Sequence, residues 1–424
     1  MRIYTPLFWV VTVTLWLAPS AWPATEQVLY RFSGKTDGAT PSSGLIADAA
    51  GNLYGTTLSG GNPQYCSNYS IPGCGVVFEL SLTSGGQWQE QVLFSFNGTD
   101  GNRPLGNLLF DAAGNLYGTT EWGGNGSNCG SVGCGTVFEL SPTGNGTWTE
   151  NVLYSFQGSD GASPSGLTLD AAGNLYGMTS GGGGVSNSGL VYELSPPQTK
   201  GGAWTRKTLY TFLPNGTVPN GPLVFDKNGN LYGTRSQSYD CYLNCGSVFE
   251  LTPAGNNWDY TSIYQFQGGG NGGEPVGGVI IDGDGDFFGA GAEGGNNWGI
   301  AFHLFQKDGQ WNESMLHNFC SKNNCADGAG FSVSLTFGPA GTLYGVTTGG
   351  GGECPFPGCG TVFQLTHTRV GWTETVLHSF SSKPDGMEPD GALIVDSKGD
   401  LYGVTAGGGQ GPSNGYGTVF EVIP

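Results

Sequence analysis

The sequence predicts an all-β fold: a single seven-bladed β-propeller of four-stranded antiparallel blades, with the N-terminal strand closing the last blade. Three observations carry this reading. A unit centred on Leu-Tyr-Gly recurs seven times, anchored at residues 53, 116, 175, 231, 287, 343 and 401, with Phe-Phe-Gly in the fifth copy. Each copy holds four strand-like runs separated by turn residues, the pattern of a propeller or a similar array. Finally, the chain opens on Thr25–Phe32, which matches the fourth run of the second copy (Thr149–Phe156), and it ends on a third run, Gly417–Val422, with no fourth run after it. A ring uses that offset to pair two strand edges that would otherwise stay open.

In chain order, residues 1–24 read as a secretory leader. Arg2 is the only charge before Glu26, and an apolar run from Pro6 to Ala18, too short to span a bilayer, is followed by small residues. No second apolar run occurs, so no membrane span is expected in the mature chain, residues 25–424. The expected location is secreted, periplasmic or at the cell surface.

The second copy shows the unit most clearly. Gly106–Asp111 reads as the first strand, Ala112–Gly114 as a tight turn and Asn115–Thr120 as the second strand. A Gly/Asn/Ser-rich loop leads to the third strand, Gly135–Ser141, in which Thr136, Phe138 and Leu140 alternate with Val137 and Glu139. Trp148–Phe156 forms the fourth. Six such tryptophans (Trp88, Trp148, Trp204, Trp258, Trp311 and Trp372) open fourth strands and read as structural. The 79 glycines and 23 prolines among 424 residues approach the level of disordered chains, but they fall at fixed offsets between strands and so read as turns.

Ten cysteines form five close pairs, Cys66/Cys74, Cys129/Cys134, Cys241/Cys245, Cys320/Cys325 and Cys354/Cys359. Behind a leader, and without a histidine or second pair at metal-ligand spacing, they read as disulfides. Alternating strand direction puts all five pairs on one face, with the loops that join second to third strands and each blade to the next. These loops vary most from copy to copy, so function is expected there.

The formal net charge is −19, from 33 acidic and 14 basic residues, with no basic cluster. That excludes phosphate-backbone binding and leaves neutral or cationic partners.

The strings Asn-Leu-Tyr-Gly-Thr-Thr, Gly-Cys-Gly-Thr-Val-Phe-Glu-Leu and Val-Leu-Tyr-Ser-Phe resemble the Gloeo/Verruco (GloVer) tandem repeats of bacterial surface proteins, over essentially the whole mature chain. The resemblance implies a secreted propeller with no assigned enzymatic role. Members often carry a C-terminal anchoring segment. Here Pro424 follows the last strand directly, so release is expected rather than surface anchoring.

The candidate site residues follow from positions within the repeat. An Asp-Gly pair precedes the first strand at Asp37, Asp100, Asp160, Asp327 and Asp385, with Asn215 and Asn271 in the other two copies. These acids are expected to circle the pore mouth, where they would bind sugar hydroxyls or a cation; the plainer reading is a favoured turn. Asp282, Asp284 and Asp286 alternate like the start of a calcium loop, but Phe287 stands where that loop needs glycine, and a drifted hairpin turn is the plainer reading. Trp122 and Trp298 lie in loops on the cysteine face, where they would stack on sugars or pack on glycine-rich loops. His303, His317 and His378 read as variants of repeat positions, and no nucleophile–base–acid arrangement is legible.

The expected function is therefore a secreted, non-catalytic and monomeric binding or scaffold propeller, with a glycan or surface polymer as ligand. No cofactor is expected, apart from calcium if the Asp282–Asp286 turn binds it. Two alternatives stand beside it: a polysaccharide hydrolase or lyase using acids such as Asp100, Asp160 and Asp327, and a purely structural envelope component. Fold alone does not decide among them.

Overall fold

The computed structural model describes residues 24–68, 70–184, 187–199, 201–213, 218–236, 246–269, 272–294, 298–330, 334–352, 354–355, 357–412 and 414–424. They form seven antiparallel sheets arranged as the blades of a ring. Blade two runs outward through Asn102–Pro104 with Leu109–Phe110, Leu116–Trp122, Thr136–Gly144 and Thr147–Ser155. Blade seven pairs Gly386–Val395, Leu401–Gly408 and Thr418–Ile423 with the N-terminal strand Thr25–Arg31. Thr25 lies opposite Ile423 and Arg31 opposite Thr418, so the chain start closes the ring as the sequence predicts. First-strand residues of all seven blades surround a central cavity of about 400 Å³.

The repeated letters have a packing reason. The glycine of each Leu-Tyr-Gly sits directly opposite the third-strand aromatic, as Gly118 does opposite Phe138 and Gly55 opposite Phe78. A Cβ on Gly118 would lie 2.5 Å from Phe138 Cζ, and the same contact recurs at Gly55, Gly177, Gly233, Gly289, Gly345 and Gly403. The ring that fills this gap then meets a phenylalanine just beyond the preceding blade's fourth strand. These pairs include Phe96–Phe138, Phe212–Phe249 and, across the closing seam, Phe32–Phe78, at 5.1, 5.4 and 5.2 Å between centroids. Edge-to-face pairs of this kind contribute about 0.5–1.5 kcal/mol each beyond buried area. The tryptophans add a second tie between blades, with Trp148, Trp204 and Trp258 edge-on to Tyr54, Tyr117 and Tyr176 of the blade before.

The first strand starts earlier than the sequence pattern suggests. In blade two it begins at Asn102–Pro104, breaks, and resumes at Leu109–Phe110. The early segment is a clasp onto blade one. Arg103 adopts φ 57°, its N–H donates to Cys74 O at 2.9 Å, and Pro104 Cδ would stand 2.6 Å from a Cβ on Gly75. The same clasp joins Ser163 to Cys134 O and Pro164 to Gly135. Thus the glycine that opens the third strand makes room for the next blade's proline in six of the seven blades, blade six having no proline to offer Gly299.

Disulfides link Cys66–Cys74, Cys129–Cys134, Cys320–Cys325 and Cys354–Cys359, all on the loop face; Cys241 and Cys245 lie outside the described residues, as do residues 1–23. Among the described residues, no helix is long and apolar enough to cross a membrane.

Gly118→Ala is expected to destabilise the protein by about 1–3 kcal/mol through overpacking. Phe138→Leu in the same chain should recover part of that loss. Thermal unfolding of the two single variants and the double variant checks this; strictly additive losses would contradict the contact.

Candidate functional site

In six of the seven blades the turn between first and second strands is built around one aspartate. Asp111 Oδ1 accepts the backbone N–H groups of Ala113 (2.8 Å) and Asn115 (2.9 Å), while Oδ2 accepts Asn115 Nδ2 (2.8 Å). The Tyr117 hydroxyl lies 3.2 Å from Asp111 Oδ2 and 3.1 Å from Glu139 Oε1. Burial raises the Asp111 pKa, but the bonds from Asn115 and Ala113 outweigh it and hold the carboxyl below its ordinary range. Burial and the neighbouring Glu139 and Asp111 push the Tyr117 hydroxyl upward. Equivalent networks organise Asp48, Asp170 and Asp226.

Blades five and six break this network. Asp282 Oδ1 still accepts the N–H groups of Asp284 and Asp286, both at 2.9 Å, so the Asp282–Asp286 stretch is a hairpin turn of the repeated kind. Phe288 replaces the tyrosine, Asp286 the asparagine and His303 the glutamate. His303 Nε2 lies 2.9 Å from Asp286 Oδ2, and its ring stacks on Phe288 at 4.4 Å and 8°. In blade six Gly338 takes the place of the turn aspartate, where a Cβ would collide with the Tyr344 ring.

The gap left between these two blades is a cleft of about 1020 Å³ on the turn face. Its walls combine Phe288, Phe305, Phe337 and Trp372 with Asp282, Asp286, His303, His367 and Gln306. A smaller hollow of about 530 Å³ flanks the other side of the same turn, against Asp226, Asn230 and Trp311.

The Asp-Gly acids take a different place from the one the sequence suggested. None of Asp37, Asp100, Asp160, Asp327 or Asp385 lines the central cavity, whose lining carboxylate is Asp390. Each folds back onto the outer strand it follows. Asp37 accepts Ser33 N–H (2.7 Å), Ser33 Oγ (2.6 Å) and the Tyr30 hydroxyl (3.1 Å), and Asp160 accepts Gln157 N–H (2.7 Å) and the Tyr154 hydroxyl. The connection leaves from the outermost strand, so an acid that caps its start stays on the rim.

There each acid meets the next blade's outer strand. Glu90 faces Asp37, Glu150 faces Asp100, and Glu26 and Glu374 face Asp385 and Asp327. Glu26, Glu90, Glu150, Glu313 and Glu374 share one repeat position, and each has a buried Oε1 without a hydrogen-bond partner. Burial, and then the facing aspartate, push Glu90 and Glu150 up to about 7. Arg206 holds this position in blade three and donates to Asp160 O at 2.6 Å.

Two histidines read as drift turn out to be partnered. His317 and His378 replace the tyrosine that holds the rim aspartate, lying 3.3 Å from Asp327 and 3.2 Å from Asp385. Tyr30, Tyr154, His317 and His378 standing just before Asp-Gly pairs was the available signal. On the loop face, the Arg103 guanidinium lies 4.7 Å over the Trp122 ring and pairs with Glu121 at 2.9 Å. Trp298 lines a hollow of about 490 Å³ with Met387, Glu388 and the Cys354–Cys359 disulfide. Asn215 and Asn271 lie outside the described residues.

The Gloeobacter/Verrucomicrobia repeat family matches the chain over residues 65–279, 127–353 and 236–424. The chain belongs to this family. No curated protein matches its sequence. Among solved structures, a protein titled a putative oxidoreductase (glucose dehydrogenase) from Thermus thermophilus is 12% identical with a TM-score of 0.46, over 94% of this chain and 100% of that one. A Trypanosoma rangeli sialidase in complex with the inhibitor DANA is 11% identical with a TM-score of 0.43, over 80% of this chain and 56% of that one. A protein of unknown function from Dyadobacter fermentans gives 11% and 0.43, over 94% of this chain and 99% of that one. Likenesses this distant carry no functional argument.

Because Glu90 and Glu150 bind protons more tightly folded than unfolded, their contribution is fully present below about pH 4.5 and lost as pH rises through 7. Asp111 and Asp226, held below the ordinary range, act oppositely and only in stronger acid. His317, lowered by burial, opposes the glutamates as pH falls through its ordinary value. The Glu90→Gln/Glu150→Gln variant should therefore gain unfolding temperature relative to the parent as pH rises from 5 to 8. Parallel pH profiles would contradict the shared-seam account.

Proposed function

We propose that this family member is an extracytoplasmic, non-catalytic binding propeller that takes a carbohydrate in the cleft between blades five and six. The observation that carries the reading is the replacement of the repeated Asn–Tyr–Glu partners of the turn aspartate by Asp286, Phe288 and His303, beside a cleft of about 1020 Å³. A sugar ring offers an apolar face and a hydroxylated edge. Aromatic rings beside carboxylates, an imidazole and an amide match both within one site. The net charge of −19 disfavours polyanionic ligands and leaves neutral glycans unopposed. Four disulfides support an oxidising compartment. The 2.9 Å Asp286–His303 pair also favours a second reading, acid–base cleavage of the bound glycan.

A glycan array followed by calorimetry tests this. His303→Ala and Phe305→Ser should each weaken binding roughly tenfold or more, about 1.4 kcal/mol. Trp298→Ala, on the opposite face, should leave it unchanged. Binding lost only in Trp298→Ala would move the site to the loop face, and release of new reducing ends would favour the hydrolase.

A further inference from the structure

Two neighbouring rim seams hold the same three residue types at the same repeat positions: His317, Asp327 and Glu374 between blades five and six, and His378, Asp385 and Glu26 between blades six and seven. The first seam holds a cation of its own, although Glu374 Oε1 stays without a hydrogen-bond partner. Asp327 Oδ2 accepts Ser321 N–H (2.9 Å) and Ser321 Oγ (2.6 Å) and lies 3.3 Å from His317 Nε2, while Oδ1 accepts Lys322 N–H (3.1 Å). The Lys322 ammonium then lies 2.8 Å from Glu374 Oε2, whose side chain is 1% exposed. A cation of the same chain thus sits directly on a deeply buried carboxylate.

In the second seam no lysine or arginine among the described residues forms an ion pair with the two anions; Arg31 is near enough to act on Glu26 electrostatically without pairing with it. Asp385 Oδ2 accepts Ser381 N–H (2.9 Å) and Ser381 Oγ (3.2 Å) and lies 3.2 Å from His378 Nε2. Asp385 Oδ1 and Glu26 Oε1 are buried and without a hydrogen-bond partner. The lysine of this loop, Lys383, turns away to donate to Gly411 O (2.6 Å) and Pro412 O (3.1 Å), and Arg31 Nε donates to Pro384 O at 2.8 Å. Ligand atoms of Glu26, His378 and Asp385 all lie within 4.8 Å of one another.

We propose that Glu26, His378 and Asp385 bind a divalent first-row transition-metal ion, Zn²⁺ before others, which replaces the lysine of the sister seam. One imidazole nitrogen and two carboxylate oxygens suit Zn²⁺ at about 2.0–2.2 Å, whereas Ca²⁺ and Mg²⁺ take oxygen ligands. Two carboxylates balance the ion's charge, and the Ser381 bonds to Oδ2 hold the Asp385 carboxyl in place. Three protein ligands leave a coordination position to water. Glu26 belongs to the N-terminal strand, while His378 and Asp385 come from blade six and the connection after it. The ion therefore fastens the closing strand to the neighbouring blade, independently of any ligand in the turn-face cleft.

The test uses tag-free full-length mature protein stripped with chelator, titrated with Co²⁺ by visible absorption and with Zn²⁺ by thermal unfolding. A single equivalent of Co²⁺ should give ligand-field bands, and Zn²⁺ should raise the unfolding temperature. Both responses should disappear in Glu26→Gln and in His378→Tyr, which installs the residue found at positions 30 and 154 and so suits the repeat. His317→Tyr, in the lysine-filled seam, should keep both. No response in the parent protein would overturn the assignment, as would a response that survives both substitutions or an equal shift with Ca²⁺.

Discussion

A glycine lying under an aromatic ring is the contact on which this propeller depends. In every blade the second strand gives up a side chain so that the third-strand ring can lie against its backbone, from Gly55 with Phe78 to Gly403 with Phe420. The buried ring then becomes the surface that the preceding blade's phenylalanine meets edge-on. One omission of a Cβ thus sets the packing within a blade and the distance between blades. It also explains how a chain with 79 glycines keeps an ordered core: many of them are places where another group must come close.

Outside this core the repeat carries polar devices with two fates. The turn aspartates and their tyrosine and glutamate partners satisfy one another on one face. The rim glutamates leave a buried oxygen free at five seams. Such groups cost stability when charged unless something answers them, and the seams answer differently: Arg206 in one, Lys322 in another, a proton at Glu90 and Glu150. Variation among otherwise equal blades is therefore electrostatic as well as steric.

The fold was legible because it rests on periodicity and on the two chain ends. Leu-Tyr-Gly spacing counts blades, and the unpaired fourth-strand match at Thr25–Phe32 closes them. The site was less legible because its partners are brought together by the ring and not by the chain. Asp37 and Glu90 are far apart in sequence, yet they face each other, and nothing in the Asp-Gly motif said that its carboxylate would fold back to Tyr30 instead of reaching the pore. Likewise Phe288 and His303 read separately as variants of repeat positions; only the register that sets one opposite the other makes them one place. The early start of the first strand was missed because its residues pair through a clasp to the previous blade, at Arg103 and Pro104, and not by alternation.

The central claim is that binding chemistry resides where the repeat is broken in blades five and six. Restoring the repeat there, with Asp286→Asn, Phe288→Tyr and His303→Glu in one chain, separates binding from stability. Calorimetric titration with the glycan that the parent protein binds is the deciding measurement, with thermal unfolding as the control. The account predicts an unfolding temperature equal to or above the parent's, with carbohydrate binding abolished. Undiminished binding by the restored protein would contradict it.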